Sequence, residues 1–150
     1  MRSVISLVVA VSVGYSLSIV INSLVSAATL VGFGIEVSLS DRLGMIVKEW
    51  VGLGTIYLPL YLVLHVVSFW LLGRALRNKA LTTVVECAAY AGAGALSLMA
   101  LYLTFDAVMG SGGVVVASTR TTAGLLANTA TGAVSGLLFW LLSSDSRQTD

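Results

Sequence analysis

Residues 124–136 read GLLANTATGAVSG. The stretch is apolar enough to lie in a bilayer, yet most of its positions are Gly, Ala or Thr, with one Asn. Lipid rewards large side chains, so these small ones must serve something other than lipid contact. Between helices in a bilayer little hydrophobic drive remains. Association there rests on close backbone approach and on interhelical hydrogen bonds. Gly124, Asn128, Gly132 and Gly136 follow one another at intervals of four, so they stack on one helix face, and the last two glycines make a GxxxG. The segment reads as a packing seam with an amide able to bond across it. Similar faces are expected at Ala88, Gly92 and Ala95 or Ser97, and at Ser12 and Ser16.

The composition places this seam in a membrane protein. The chain has 150 residues, 57% hydrophobic and only 10% charged, where a soluble domain carries about 25% charged residues. A formal net charge of +1 gives no basic field and argues against a nucleic-acid partner. The single cysteine, Cys87, allows no intrachain disulfide. Met1–Ala28 has a basic start and an Ala-rich end. However, its apolar run exceeds the roughly 7–15 residues of a signal-peptide core, so it reads as a retained span.

A spanning helix needs about 20 mostly apolar residues. Four stretches qualify: Val4–Val31, Val51–Leu72, Val84–Phe105 and Thr122–Leu142. Each must be helical, because lipid offers no partner to backbone N–H and C=O groups. The expected fold is all-α: one domain, an integral membrane bundle of four antiparallel transmembrane helices with a short interfacial helix between spans 1 and 2. Arg2 and the basic loop Arg74, Arg77, Lys79 put both termini and that loop in the cytoplasm by the positive-inside rule. The expected location is the cell (inner) membrane. Trp50, Trp70 and Trp140 fall near span ends, where amphipathic rings prefer to sit. In the first loop, Leu43, Ile46, Val47 and Trp50 follow helical spacing, and Ser38 with Asp41 gives a capping-box start.

Polar residues inside the spans are the candidates for function. His65 is the only histidine, and Tyr57, Tyr61, His65 and Ser68 are spaced to run down one face. Pro59 is expected to interrupt the helix above them. One reading is a proton relay or ligand path through His65, Tyr61, Ser68, Tyr90 and Asp106. The other is a neutral histidine hydrogen-bonded within the bundle, with Tyr90 as its partner. Glu86 reads as the carboxylate of a capping box from Thr83, and Asp106 is expected to pair with Arg120. Asn22, with Tyr15, Ser18 and Ser26 on its face, is placed to meet Asn128.

One histidine and one cysteine are too few for a zinc site, and no haem or other cofactor is expected. No nucleophile–base pair, paired carboxylates or phosphate loop is present in the sequence, so an enzyme is not expected. Two functions remain. One is a non-catalytic accessory subunit that docks on a membrane-protein partner, or on itself, through small-residue faces. The other is a small oligomeric transporter or channel around His65. In both the lipid bilayer is the surrounding partner.

Overall fold

The computed structural model describes residues 2–109 and 121–144. Among them are five helices: α1 (Arg2–Gly32), α2 (Leu39–Gly54), α3 (Tyr57–Leu76), α4 (Thr83–Met109) and α5 (Thr122–Ser144). Four of these, α1, α3, α4 and α5, are long and apolar enough to cross a membrane. At 31 residues α1 is about 46 Å long, well over the roughly 30 Å of a bilayer's hydrocarbon core.

Glycine ends the first helix. Gly34 takes φ +80°, a left-handed conformation open to a residue without Cβ. The amide of Ile35 then reaches back to Leu30 O at 3.1 Å, and that of Gly34 to Val31 O at 2.9 Å. These two bonds are the Schellman pattern, which satisfies carbonyls that a helix end would otherwise orphan. The following extended residues lead to Ser38, whose side chain accepts from the Asp41 amide while Asp41 bonds back to the Ser38 amide. That capping box starts α2. Hydrogen bonds from Ser38 hold the Asp41 carboxyl below its ordinary range. The cap is therefore intact above the ordinary aspartate pKa and is lost as pH falls through the lowered value.

The second span begins later than its hydropathy suggested. Residues 51–54 belong to α2, the chain breaks at Thr55–Ile56, and α3 starts at Tyr57. Pro59 then lies in the first turn of α3 rather than interrupting it. A missing N–H costs nothing there, because first-turn amides have no intrahelical acceptor. Of the expected stripe Leu43, Ile46, Val47 and Trp50, only Ile46 packs against the core, and the helix's apolar residues divide between two faces. Ile46 and Leu53 pack against the core, whereas Leu39, Leu43, Val47 and Val51 point outward, Leu39 being 75% exposed.

The helices surround a core of Val11, Tyr15, Ile19, Tyr57, Tyr61, Leu98, Leu101 and Tyr102. α5 packs against α4 and α1, and α3 packs mainly against α4 and also against α1. The closest approach is between α4 and α5. A Cβ added to Gly132 would lie 2.3 Å from Gly94 O, and one added to Gly136 2.0 Å from Tyr90 O. Gly124, Asn128, Gly132 and Gly136 are all buried on α5. On α4 the glycine at the seam is Gly94, not Gly92, whose added Cβ would meet nothing within 4 Å. Two residues apart on a helix is a rotation of about 200°, so only one of these glycines can face α5.

This geometry predicts a sharp contrast. Gly132→Leu forces apart two backbones that have nothing flexible between them. It should lower the melting temperature steeply, by the equivalent of about 1–3 kcal/mol or more, or prevent monodisperse purification. Gly92→Leu enters open space and should leave the melting temperature nearly unchanged. Gly132→Leu protein of normal size and stability would show that the seam is not a contact.

Candidate functional site

The polar residues of the bundle gather into a buried column. Its first layer takes one residue from each of the four long helices: Ser18 of α1, Tyr57 of α3, Tyr102 of α4 and Asn128 of α5. Ser18 Oγ donates to Asn128 Oδ1 at 2.7 Å and lies 3.1 Å and 3.2 Å from the Tyr57 and Tyr102 hydroxyls. The two tyrosine hydroxyls also bond each other, and Tyr102 approaches Asn128 Oδ1 at 3.5 Å. Every hydroxyl proton finds an acceptor: Ser18 and Tyr102 donate to the amide oxygen, and Tyr57 donates to Tyr102 or Ser18. The amide nitrogen of Asn128 donates to Gly124 O at 3.0 Å. All four residues are at most 5% exposed.

The second layer pairs the Tyr61 hydroxyl with Ser135 Oγ at 2.8 Å. Here α1 contributes a glycine. A Cβ at Gly14 would lie 1.8 Å from Ser135 Oγ and 2.4 Å from the Tyr61 hydroxyl. Gly14 is thus the opening through which α3 and α5 join hands beneath α1. Sequence reasoning passed over it, although the signal was in the sequence: Ser6, Ala10, Gly14 and Ser18 recur at intervals of four and are all buried, whereas Ser12 and Ser16, the small residues singled out from the sequence, lie on another face of α1.

His65 follows, fully buried. Its Nδ1 lies 2.9 Å from Tyr61 O. A carbonyl can only accept, so Nδ1 carries the proton and Nε2 carries a bare lone pair. Nε2 has no hydrogen-bond partner among the described residues. The ring stacks on Tyr61 at 4.3 Å and 3° and meets the edge of Phe69 at 5.3 Å. Such offset and edge contacts are the arrangements aromatic quadrupoles favour.

Several expected neighbours stand elsewhere. Tyr90 is not the partner of His65; its ring packs on Phe69 and Phe139. The buried stripe of α3 continues from His65 to Phe69 rather than to Ser68. Ser68 instead accepts from Ser97 Oγ at 2.6 Å. The Asn22 amide donates to Glu49 Oε2 on α2 at 3.0 Å. The Glu86 carboxylate reaches the Trp140 indole nitrogen at 3.5 Å, and since α4 starts at Thr83, the capping position before it falls to Thr82. The side chain of Asp106 and its expected partner Arg120 lie outside the described residues. No group of three potential metal ligands occurs among the described residues.

Outside the column, α1 carries an open groove of about 310 Å³ lined by Ser12, Val13, Ser16, Leu17 and Val20. Ser16 Oγ at its edge donates to Ser12 O at 2.8 Å and accepts from the Trp50 indole at 3.2 Å. Comparison with known protein families, curated proteins and solved structures finds no match.

Chemically the column is a set of neutral hydroxyls, one amide and one imidazole. A histidine relay must take a proton at one nitrogen and release it from the other. Here Nδ1–H ends on a backbone carbonyl, which passes nothing on. The ring therefore acts as a packed aromatic with one internal hydrogen bond. Replacing it with a ring of similar shape that lacks the unpartnered acceptor should not cost stability. His65→Phe is expected to melt at or above the wild-type temperature, whereas His65→Ala, which leaves a cavity, should melt well below it. A His65→Phe protein destabilised as much as the alanine variant would show that Nε2 has an essential partner.

Proposed function

We propose that this chain is a non-catalytic polytopic membrane protein acting as an accessory subunit, which docks on a membrane-protein partner or a second copy through small-residue helix faces. One observation carries the reading: the bundle closes without using all of its small faces. Gly94, Gly132 and Gly136 are consumed between α4 and α5, while the position of Gly92 opens onto nothing within 4 Å. Ala88, one turn away, is exposed. The groove at Ser12 and Ser16 is a second open small-residue face. In lipid such faces let another helix approach closely.

The same reading places four antiparallel spans in the cell (inner) membrane, with both termini and the basic loop after α3 on the cytoplasmic side. Residues 94 and 102 of α4 meeting 132 and 128 of α5 support the antiparallel arrangement. The outward apolar stripe of α2, with Asp41 and Lys48 on another face, supports an interfacial position for that helix. The alternative is a small oligomeric transporter or channel around His65. Its support is the buried lone pair at Nε2; against it stands the closed Nδ1 bond. A proton flux into liposomes that the wild type supports and His65→Phe abolishes would favour that alternative.

Affinity purification from mild detergent tests docking. Gly92→Leu should keep the monomer fold and lose most of the co-purifying partner or second copy. Unchanged recovery would remove this face from the reading. For orientation, a cysteine at Asn78 in a Cys87→Ser background should resist an impermeant thiol reagent added outside intact cells and react once the membrane is opened. Labelling from outside would reverse the topology.

A further inference from the structure

The helix α2 is attached to the bundle differently from the other four. None of its residues is buried. It is flanked at one end by the turn at Gly34 and the extended residues after it, and at the other by the break at Thr55–Ile56, just past Gly52 and Gly54. Between these ends Ile46 and Leu53 pack against the core, and a short set of polar contacts holds the helix to α1. The Asn22 amide donates to Glu49 Oε2 at 3.0 Å. The Tyr15 hydroxyl donates to Trp50 O at 2.7 Å, and the Trp50 indole to Ser16 Oγ at 3.2 Å. The Trp50 ring meets the edge of Tyr15 at 5.8 Å. Of the groups making these contacts, only the Glu49 carboxyl changes charge in the ordinary pH range.

We propose that α2 is a hinged strap whose attachment to α1 is set by the protonation of Glu49 against Asn22. A neutral carboxyl and a carboxylate both accept from the amide, so the bond survives in either state. What differs is the cost of enclosing the charge. Among the described residues little offsets it. α1 carries a single charged residue, Arg2, at its opposite end. α3 brings Tyr57, Tyr61, His65 and Arg74, and α2 itself Asp41, Arg42 and Lys48. None of these charges contributes appreciably at Glu49, where burial raises the carboxyl's pKa and the Asn22 amide only partly opposes it. A pKa raised by docking means that docking is fully favoured below the ordinary glutamate value and weakens as pH rises through the raised one. Release would uncover the Asn22, Tyr15 and Ser16 side chains on α1, beside the groove at Ser12 and Ser16.

The test is amide hydrogen exchange on the full chain in lipid nanodiscs, at mildly acidic and mildly alkaline pH. Amides of α4 and α5 report the chemical exchange rate and the integrity of the bundle. In the wild type, protection of residues 46–53 should fall on the order of tenfold relative to α4 and α5 as pH rises. Glu49→Gln keeps an acceptor for Asn22 and removes the charge, so its α2 should stay protected at both pH values. Wild-type protection that does not depend on pH would overturn the proposal. So would a Glu49→Gln chain that keeps the wild-type response, or one whose α2 is unprotected throughout.

Discussion

The bond set joining Ser18, Tyr57, Tyr102 and Asn128 is the constraint on which the rest of the bundle depends. In hydrocarbon a hydroxyl or amide without a partner costs several kcal/mol. Each of the four long helices carries one such group into the same layer. Each group can be satisfied only if the other three helices stand at the right height and rotation. A bond of this kind averages only about 0.6 kcal/mol between helices in a membrane. Its importance is therefore specificity more than strength. A slip of one residue turns a helix by about 100° and leaves its polar group facing lipid.

Glycine and tyrosine act as complements around that layer. Four of the five tyrosines, Tyr15, Tyr57, Tyr61 and Tyr102, project into the centre from three different helices. The glycines sit where backbones must approach: Gly14 over the Tyr61–Ser135 pair, and Gly94 against Gly132. Long rings ending in hydroxyls reach across the bundle, and missing side chains let the opposite backbone come close enough to meet them. Hydrophobic burial cannot select one packing among several in lipid, so shape and hydrogen bonding must.

Much of this was legible in the sequence, for identifiable reasons. The four long apolar helices and the Ser38–Asp41 cap follow from length, hydropathy and local chemistry, which act within a few residues. The glycine face of α5 could be traced because its repeat of four is written along one chain. Which glycine of α4 opposes it could not be read, since Gly92 and Gly94 are equally small and only the partner helix decides between them. The same holds for polar partners. Asn22 and Asn128 were expected to be at similar depth, but depth alone does not fix rotation, and Asn22 turns to Glu49. Nor did hydropathy reveal that residues 51–54 belong to α2, because the stretch is as apolar as the span it precedes.

The four-helix tie also sets an order of events during synthesis. Asn128, the acceptor at the end of the hydroxyl chain, lies on α5, which is made after α1, α3 and α4. Ser18, Tyr57 and Tyr102 enter the membrane before it exists. Until α5 arrives, the first three spans hold hydroxyls whose final acceptor is missing, and Gly94 faces a gap that only Gly132 fills. Ser18, Tyr57 and Tyr102 can bond one another, but the layer has its amide acceptor, and Gly94 its facing backbone, only once α5 is in place.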